Sequence, residues 1–157
     1  DPNLVPLVRN KLALHQIEPH RLGLEITESA LMSDPEAAAR TVEDLHNLGV
    51  IISVDDFGTG YSSLAYLQRF PVDTLKIDRF FISRIDHDSK TASLVKGIVS
   101  LAQALGLETV AEGVETESQR LLTERLGCTA YQGFLRARPG PADVISGLLG
   151  TPSDKSR

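Results

Sequence analysis

Val50-Ile51-Ile52-Ser53-Val54-Asp55-Asp56-Phe57-Gly58-Thr59-Gly60-Tyr61-Ser62-Ser63-Leu64 decides how the chain is read. Its first five positions hold four β-branched apolar residues. That predicts a strand over 50–54 buried on both faces, as in a parallel sheet. Two carboxylates, Asp55 and Asp56, stand side by side at the end of this run. Adjacent carboxylates repel, and burying them is unfavourable unless a cation or hydrogen-bond donors neutralise them. The pair points to a divalent-metal site facing a phosphate-bearing substrate. The bland alternative is that Asp-Asp caps the turn that follows, with Gly58 and Gly60 serving only that turn. Their spacing is not that of a P-loop or a dinucleotide fold.

The same arrangement recurs outward from this stretch. Further strands are expected over 22–27, 72–78, 107–111 and 128–131. The chain opens in a helix, with Leu4, Leu7 or Val8, and Leu12 on one face. A second helix is capped by Ser33 or Asp34, has Pro35 in its first turn, and offers a Ser33–Glu36 capping box. A short helix over 62–69 is ended by Pro71. A longer one over 90–105 places Leu94, Ile98, Leu101 and Leu105 on one stripe. Thr116 and Gln119 form a capping box for the next, and a last short helix reaches Leu149. Leu-Gly closes three of these helices, at Gly49, Gly106 and Gly127.

Strand and helix thus alternate five times, which predicts an α/β protein with a parallel sheet. Glu25 and Glu28, Asp55 and Asp56, Lys76 and Asp78, Glu112 and Glu115, and Gln132 all fall at C-terminal strand ends. Barrels of the (β/α)8 TIM type carry their chemistry there. A whole barrel takes eight strands and ~250 residues. The expectation is an incomplete TIM-type barrel of about five C-terminal βα units over residues 1–147, with 151–157 a disordered tail. Charged groups at successive strand ends weaken the bland alternative.

Composition narrows the partners. The 157 residues are 41% hydrophobic, enough for one core. A net charge of −5 argues against a nucleic-acid surface, so neither DNA nor RNA is expected. Cys128, the single cysteine, precludes an internal disulfide, reads as a buried thiol and fits a reducing, cytoplasmic compartment. No apolar run approaches the ~20 residues of a membrane span. No membrane contact is expected within the chain, although a longer parent is free to carry an anchor. Hard oxygen ligands suit Mg2+ or Mn2+, while His15, His20, His46 and His87 lack zinc-ligand spacing and read as surface residues. Two ions ~3.5–4 Å apart can activate water and stabilise an in-line phosphoryl displacement. Asp55 and Asp56 suit such a site, and Lys76 suits charge on the transition state or the attacking water.

Taken with Glu25-Ile26-Thr27-Glu28-Ser29, Lys76-Ile77-Asp78-Arg79-Phe80-Phe81-Ile82, Ala111-Glu112-Gly113-Val114-Glu115 and Gln132-Gly133, the Asp55–Leu64 loop resembles the EAL domain. That family comprises bacterial cyclic-di-GMP-specific phosphodiesterases with a (β/α)8 barrel. The resemblance implies hydrolysis of one phosphodiester bond of cyclic di-GMP to linear pGpG, with Mg2+ or Mn2+, two ions. It implies metal ligation by Glu25, Asp55, Asp56 and Glu112, with Asp78 near the second ion. It gives Asp56, Lys76 and Glu112 catalytic roles. Glu28, Gly58, Thr59, Glu115 and Gln132 would support substrate or loop, Glu28 by anchoring the loop after Asp56. The family's Glu-Ala-Leu glutamate and its Asn-x-Ser asparagine would lie before Asp1, making this chain alone inactive. Leu135 to Ala137 departs from the family's aromatic and serine. Fused sensory or diguanylate-cyclase-like domains and a homodimer are expected of the parent. The alternative is a receptor that binds cyclic di-GMP without cutting it. A glycosidase or enolase-like barrel is weaker, because nothing favours a sugar over a phosphate.

Overall fold

Runs of β-branched residues do form strands, and all lie in one sheet. In a computed structural model that describes residues 3–58, 67–141 and 144, the strands are β1 Gly23–Thr27, β2 Ile51–Phe57, β3 Thr74–Ile77, β4 Glu108–Glu112 and β5 Ala130–Gln132. Their spatial order is the sequence order, and every pair is parallel. The helices are α1 Leu4–His15, α2 Glu28–Ser33, α3 Pro35–Asn47, α4 Arg79–Ile82, α5 Ser89–Ala104 and α6 Glu117–Leu126, with a 3-10 turn at Pro19–Arg21. This is the α/β architecture of consecutive (β/α)8-type units. Most of the helix expected over 62–69, most of that reaching Leu149, and the tail 151–157 lie outside the described residues. Among the described residues, no helix is long and apolar enough to cross a membrane.

Register sorts the side chains onto two faces. Glu25 pairs with Ser53, Ser53 with Thr74, Thr74 with Glu108 and Glu112 with Gln132, so these share one face. Leu24 and Ile26, Ile52 and Val54, Leu75 and Ile77, and Thr109 and Ala111 share the other. The second face belongs to the core, which takes Val42 and Leu45 from α3 and Val95 and Val99 from α5. β2 is therefore not buried on both faces as expected: Ile51 is 41% exposed while Ile52 and Val54 are sealed. Helices cover one side of this strand, and its other side carries the polar residues.

Three local expectations need correction. Asp34, not Ser33, caps α3, accepting from the Ala37 N–H at 3.1 Å. Ser33 instead ends α2 and donates to the Ala30 carbonyl at 2.8 Å, so the Ser33–Glu36 box does not form. α5 buries Thr91, Val95, Val99 and Ala102, one position round from the expected stripe, and leaves Leu94 58% exposed. Both rows are apolar, so periodicity alone could not orient the helix. Cys128 is only partly buried, and desolvation pushes its pKa up to about 11. The Thr116–Gln119 capping box is present, and the three Leu-Gly joints end in left-handed glycines.

Candidate active site

The Asp-Asp pair is delivered by a fault in the sheet. Val54 pairs with Leu75 and Phe57 with Ile77, so Asp55 and Asp56 together face the single residue Lys76. This is a β-bulge, which re-aims side chains that would otherwise alternate. Asp56 takes φ +56°, a left-handed conformation that aspartate tolerates better than most residues. Its N–H donates to Asp55 Oδ1 at 3.0 Å. Both carboxylates thereby reach one point: Asp55, Asp56 and Glu112 each offer an oxygen within 4.8 Å of the others.

Lys76 lies on the central strand with its side chain 6% exposed. Its Nζ is 2.6 Å from Glu112 Oε1, 2.8 Å from Glu25 Oε1 and 3.2 Å from Asp55 Oδ1. Burial pulls its pKa down, but hydrogen bonds to Glu112, Glu25 and Asp55 outweigh that and hold it above the ordinary lysine value. Burial raises the Glu112 pKa, Lys76 opposes it, and the Asp55 and Glu25 charges add to it. Desolvation, the Asp55 charge and the Asp78 carboxyl raise that of Asp56.

Surrounding groups hold the loops. Glu28, 3% exposed at the start of α2, accepts from the Gly58 N–H at 2.9 Å. That bond ties the chain after the bulge to β1 across thirty positions of sequence. Gly58 has φ +95°, and a Cβ there would meet the Phe81 ring at 2.9 Å. Asp78 Oδ1 accepts from the Phe80 N–H at 2.7 Å, capping α4. Beyond β4, Gln119 Oε1 accepts from the Glu115 and Thr116 N–H groups at 2.8 and 3.1 Å. The Val114 N–H donates to the Gln132 carbonyl at 3.1 Å, and the Leu135 N–H donates to the Val114 carbonyl at 3.0 Å. Gly133 lies so close that a Cβ would run into the Val114 backbone.

The structure gathers Glu25, Asp55, Asp56, Lys76 and Glu112, but only Asp55, Asp56 and Glu112 converge as a possible ligand set. Glu25 meets the same Lys76 ammonium as Asp55 and Glu112 and stands outside that set of three. Asp78 stands beside Asp56 and caps a helix. Glu115 and Gln132 line an adjoining cleft of about 230 Å³, together with Arg79 and Phe134. Thr59 lies outside the described residues. None of the four histidines belongs to the acid cluster. The sequence reading missed Gln119 as a loop support, although its capping-box position was the available signal. It also gave Arg79 and Phe134 no role.

Strand-end carboxylates converge beside a buried lysine on a parallel βα sheet, at the end of the strands where (β/α)8-type barrels carry their chemistry. The chain belongs to the EAL domain family, whose model matches residues 1–139. It is 54% identical over 142 residues to the Pseudomonas aeruginosa bifunctional diguanylate cyclase/cyclic di-GMP phosphodiesterase MucR, covering 90% of this chain and 21% of MucR. It is 43% identical to the cyclic di-GMP phosphodiesterase NbdA of the same organism, covering 94% of this chain and 19% of NbdA. The solved MucR phosphodiesterase in complex with c-di-GMP superposes with a TM-score of 0.88 at 53% identity, over 91% of this chain and 58% of that one. A manganese and cyclic-di-GMP complex of Klebsiella pneumoniae BlrP1 gives 0.82 at 30% identity, over 88% and 36%. The chain thus spans about a fifth of the length of the curated relatives it matches.

Proposed function

We propose that this chain contributes the catalytic face of a cyclic-di-GMP phosphodiesterase that yields linear pGpG. The observation that carries the reading is the convergence of Asp55, Asp56 and Glu112 within 4.8 Å, produced by the bulge at Asp56. Three hard oxygen donors suit Mg2+ or Mn2+. Desolvation and then neighbouring carboxylates raise the pKa values of Asp56 and Glu112, and a bound cation would oppose both effects. One or two such ions would lower the pKa of a bound water and neutralise phosphoryl oxygens. Glu25 and Asp78 complete the surroundings.

The chain's own groups then divide the work. Glu112, to which the family resemblance gives a catalytic role, takes the proton of the attacking water. Lys76, kept protonated by its three carboxylates, donates to the phosphoryl oxygen that gains charge. The water oxygen bonds to phosphorus, the P–O3′ bond breaks, and the leaving oxygen collects a proton from solvent. Glu28 and Gly58 keep the bulge loop in place, and Gln132 faces the substrate. A cytoplasmic setting, fused signalling domains and dimeric assembly of the parent go with this reading.

Chromatography of cyclic di-GMP incubated with Mn2+ and the natural full-length protein tests it. The full-length protein is used because the chain spans only about a fifth of the length of its curated relatives. pGpG should appear, and Asp55→Ala and Glu112→Ala should abolish it. Full activity in both variants would sink the reading, and binding without cleavage would leave the receptor alternative.

A further inference from the structure

Glu112 ends β4, and only Gly113, Val114 and Glu115 separate it from Thr116, the cap of α6. A carboxylate at a strand end is only as well placed as the chain that leaves it. Val114 is tied through its backbone to Gln132 and Leu135. β5, however, is three exposed residues long and pairs with β4 alone among the described strands. That tie and the strand it leans on therefore move together. A side chain supplies the tie to the helices. Gln119, in the first turn of α6, accepts at Oε1 from the Thr116 N–H at 3.1 Å, as in an ordinary capping box. The same oxygen accepts from the Glu115 N–H at the shorter distance of 2.8 Å. A cap needs only the first of these bonds. The second reaches outside the helix, into the segment that leads back to Glu112. Gln119 is also 7% exposed, whereas glutamines mostly lie at the surface.

We infer, on the phosphodiesterase reading of Glu112, that Gln119 is a positioning residue: it fastens the β4–α6 loop to α6 so that the Glu112 carboxylate stays within reach of Asp55 and Asp56. Consecutive N–H groups form a small concavity that holds one acceptor. Here that acceptor is Gln119 Oε1, and both donors are partly buried. Without it the Glu115 and Thr116 amides would have to find water or another acceptor, because a buried donor left unmade is costly. The loop would turn with them and stay attached only to β5. Glu112 pairs with Gln132 at the end of that same strand, so it would shift as well. The Lys76 ammonium does not prevent this, since a flexible point charge follows the carboxylate it pairs with. The oxygens of Asp55, Asp56 and Glu112 would then lose the convergence within 4.8 Å that suits one cation. Gln119 touches neither metal nor substrate and acts through the backbone alone.

Calorimetric titration of the natural full-length protein with Mn2+, beside melting curves without metal, tests this. Gln119→Leu keeps the bulk and removes the acceptor. It should weaken Mn2+ binding roughly 10-fold or more. Gln119→Glu keeps an oxygen for both amides, as the usual alternative at this capping-box position, and should restore the affinity. Thr116→Ala removes the other half of the box, the bond of 3.2 Å from the Gln119 N–H to Thr116 Oγ1, and leaves Gln119 Oε1 in place. It should lower the melting temperature without weakening Mn2+. Gln119→Ser, too short to reach either amide, repeats the test if leucine prevents folding. Wild-type Mn2+ affinity in Gln119→Leu or Gln119→Ser would overturn the proposal. Equal losses in Thr116→Ala or Gln119→Glu would do so too, and so would absence of Mn2+ binding by the wild-type protein. Formation of pGpG by the wild-type protein tests the phosphodiesterase reading separately, since the affinities are measured without cyclic di-GMP.

Discussion

Lys76 Nζ lies 2.6 Å from Glu112 Oε1, the shortest of three ion pairs that converge on one buried ammonium. Lys76→Met keeps the length of the side chain and removes the charge, leaving Asp55 and Glu112 facing each other with Glu25 behind. Breaking a fully buried pair costs about 3–5 kcal/mol, and the cost here is smaller because the Glu25, Asp55 and Glu112 side chains stay 54%, 22% and 17% exposed. The expected result is a clear drop in melting temperature without metal, partly recovered on adding Mn2+. Turnover should fall by a factor of ~100 or more even when Mn2+ saturates. Melting curves with and without Mn2+ check the first claim, and steady-state kinetics the second. An unchanged melting temperature would show that the three carboxylates do not depend on Lys76.

The bulge can be separated from the charge it presents. Asn accepts left-handed backbone nearly as well as Asp, so Asp56→Asn should keep the fold and lose the ligand. Mn2+ binding should weaken while the metal-free melting temperature holds or rises, because a repelling charge has gone. Asp56→Ala adds a backbone penalty of roughly 1–2 kcal/mol. Its metal-free melting temperature should therefore fall below that of Asp56→Asn. Equal melting temperatures would mean that Asp56 carries no backbone strain.

Glu112 and Asp56 both have folded-state pKa values above their ordinary ones, through burial and neighbouring carboxylates. Between the unfolded and folded pKa the native state holds more protons, so stability of the metal-free protein falls as pH rises through that window. A divalent cation takes the deprotonated carboxylates, so its stabilising effect grows over the same window. The rise in melting temperature caused by Mn2+ should increase from acidic to neutral pH, and Asp56→Asn with Glu112→Gln should flatten it. A pH-independent rise in the wild-type protein would contradict the assignment.

The strand-end placement of the acids was legible because hydrophobic runs, Leu-Gly stops and Pro breaks bound each βα unit. Asp55 and Asp56 were identified by their adjacency, whose electrostatic cost has few structural explanations. Their convergence was expected, but the device that produces it was not legible. It depends on a register shift between Val54 and Phe57, which arises from pairing with β3 and leaves no mark in local composition. The rotation of α5 was hidden for a similar reason, since two apolar rows compete and only the sheet decides between them. α2 and α4, of six and four residues, are too short to show a helical period. The cleft residues Arg79 and Phe134 sit in different βα units and meet only in three dimensions.

At Gly133 even a methyl group would strike the Val114 backbone. Two hydrogen bonds fasten Val114 to Gln132 and Leu135. The ends of β4 and β5 are therefore one rigid jaw, and drift at position 133 is closed to the protein. Retuning what the cleft accepts has to come from outward side chains such as Phe134 and Arg79. The carboxylates behind them can then stay fixed while the cleft wall varies.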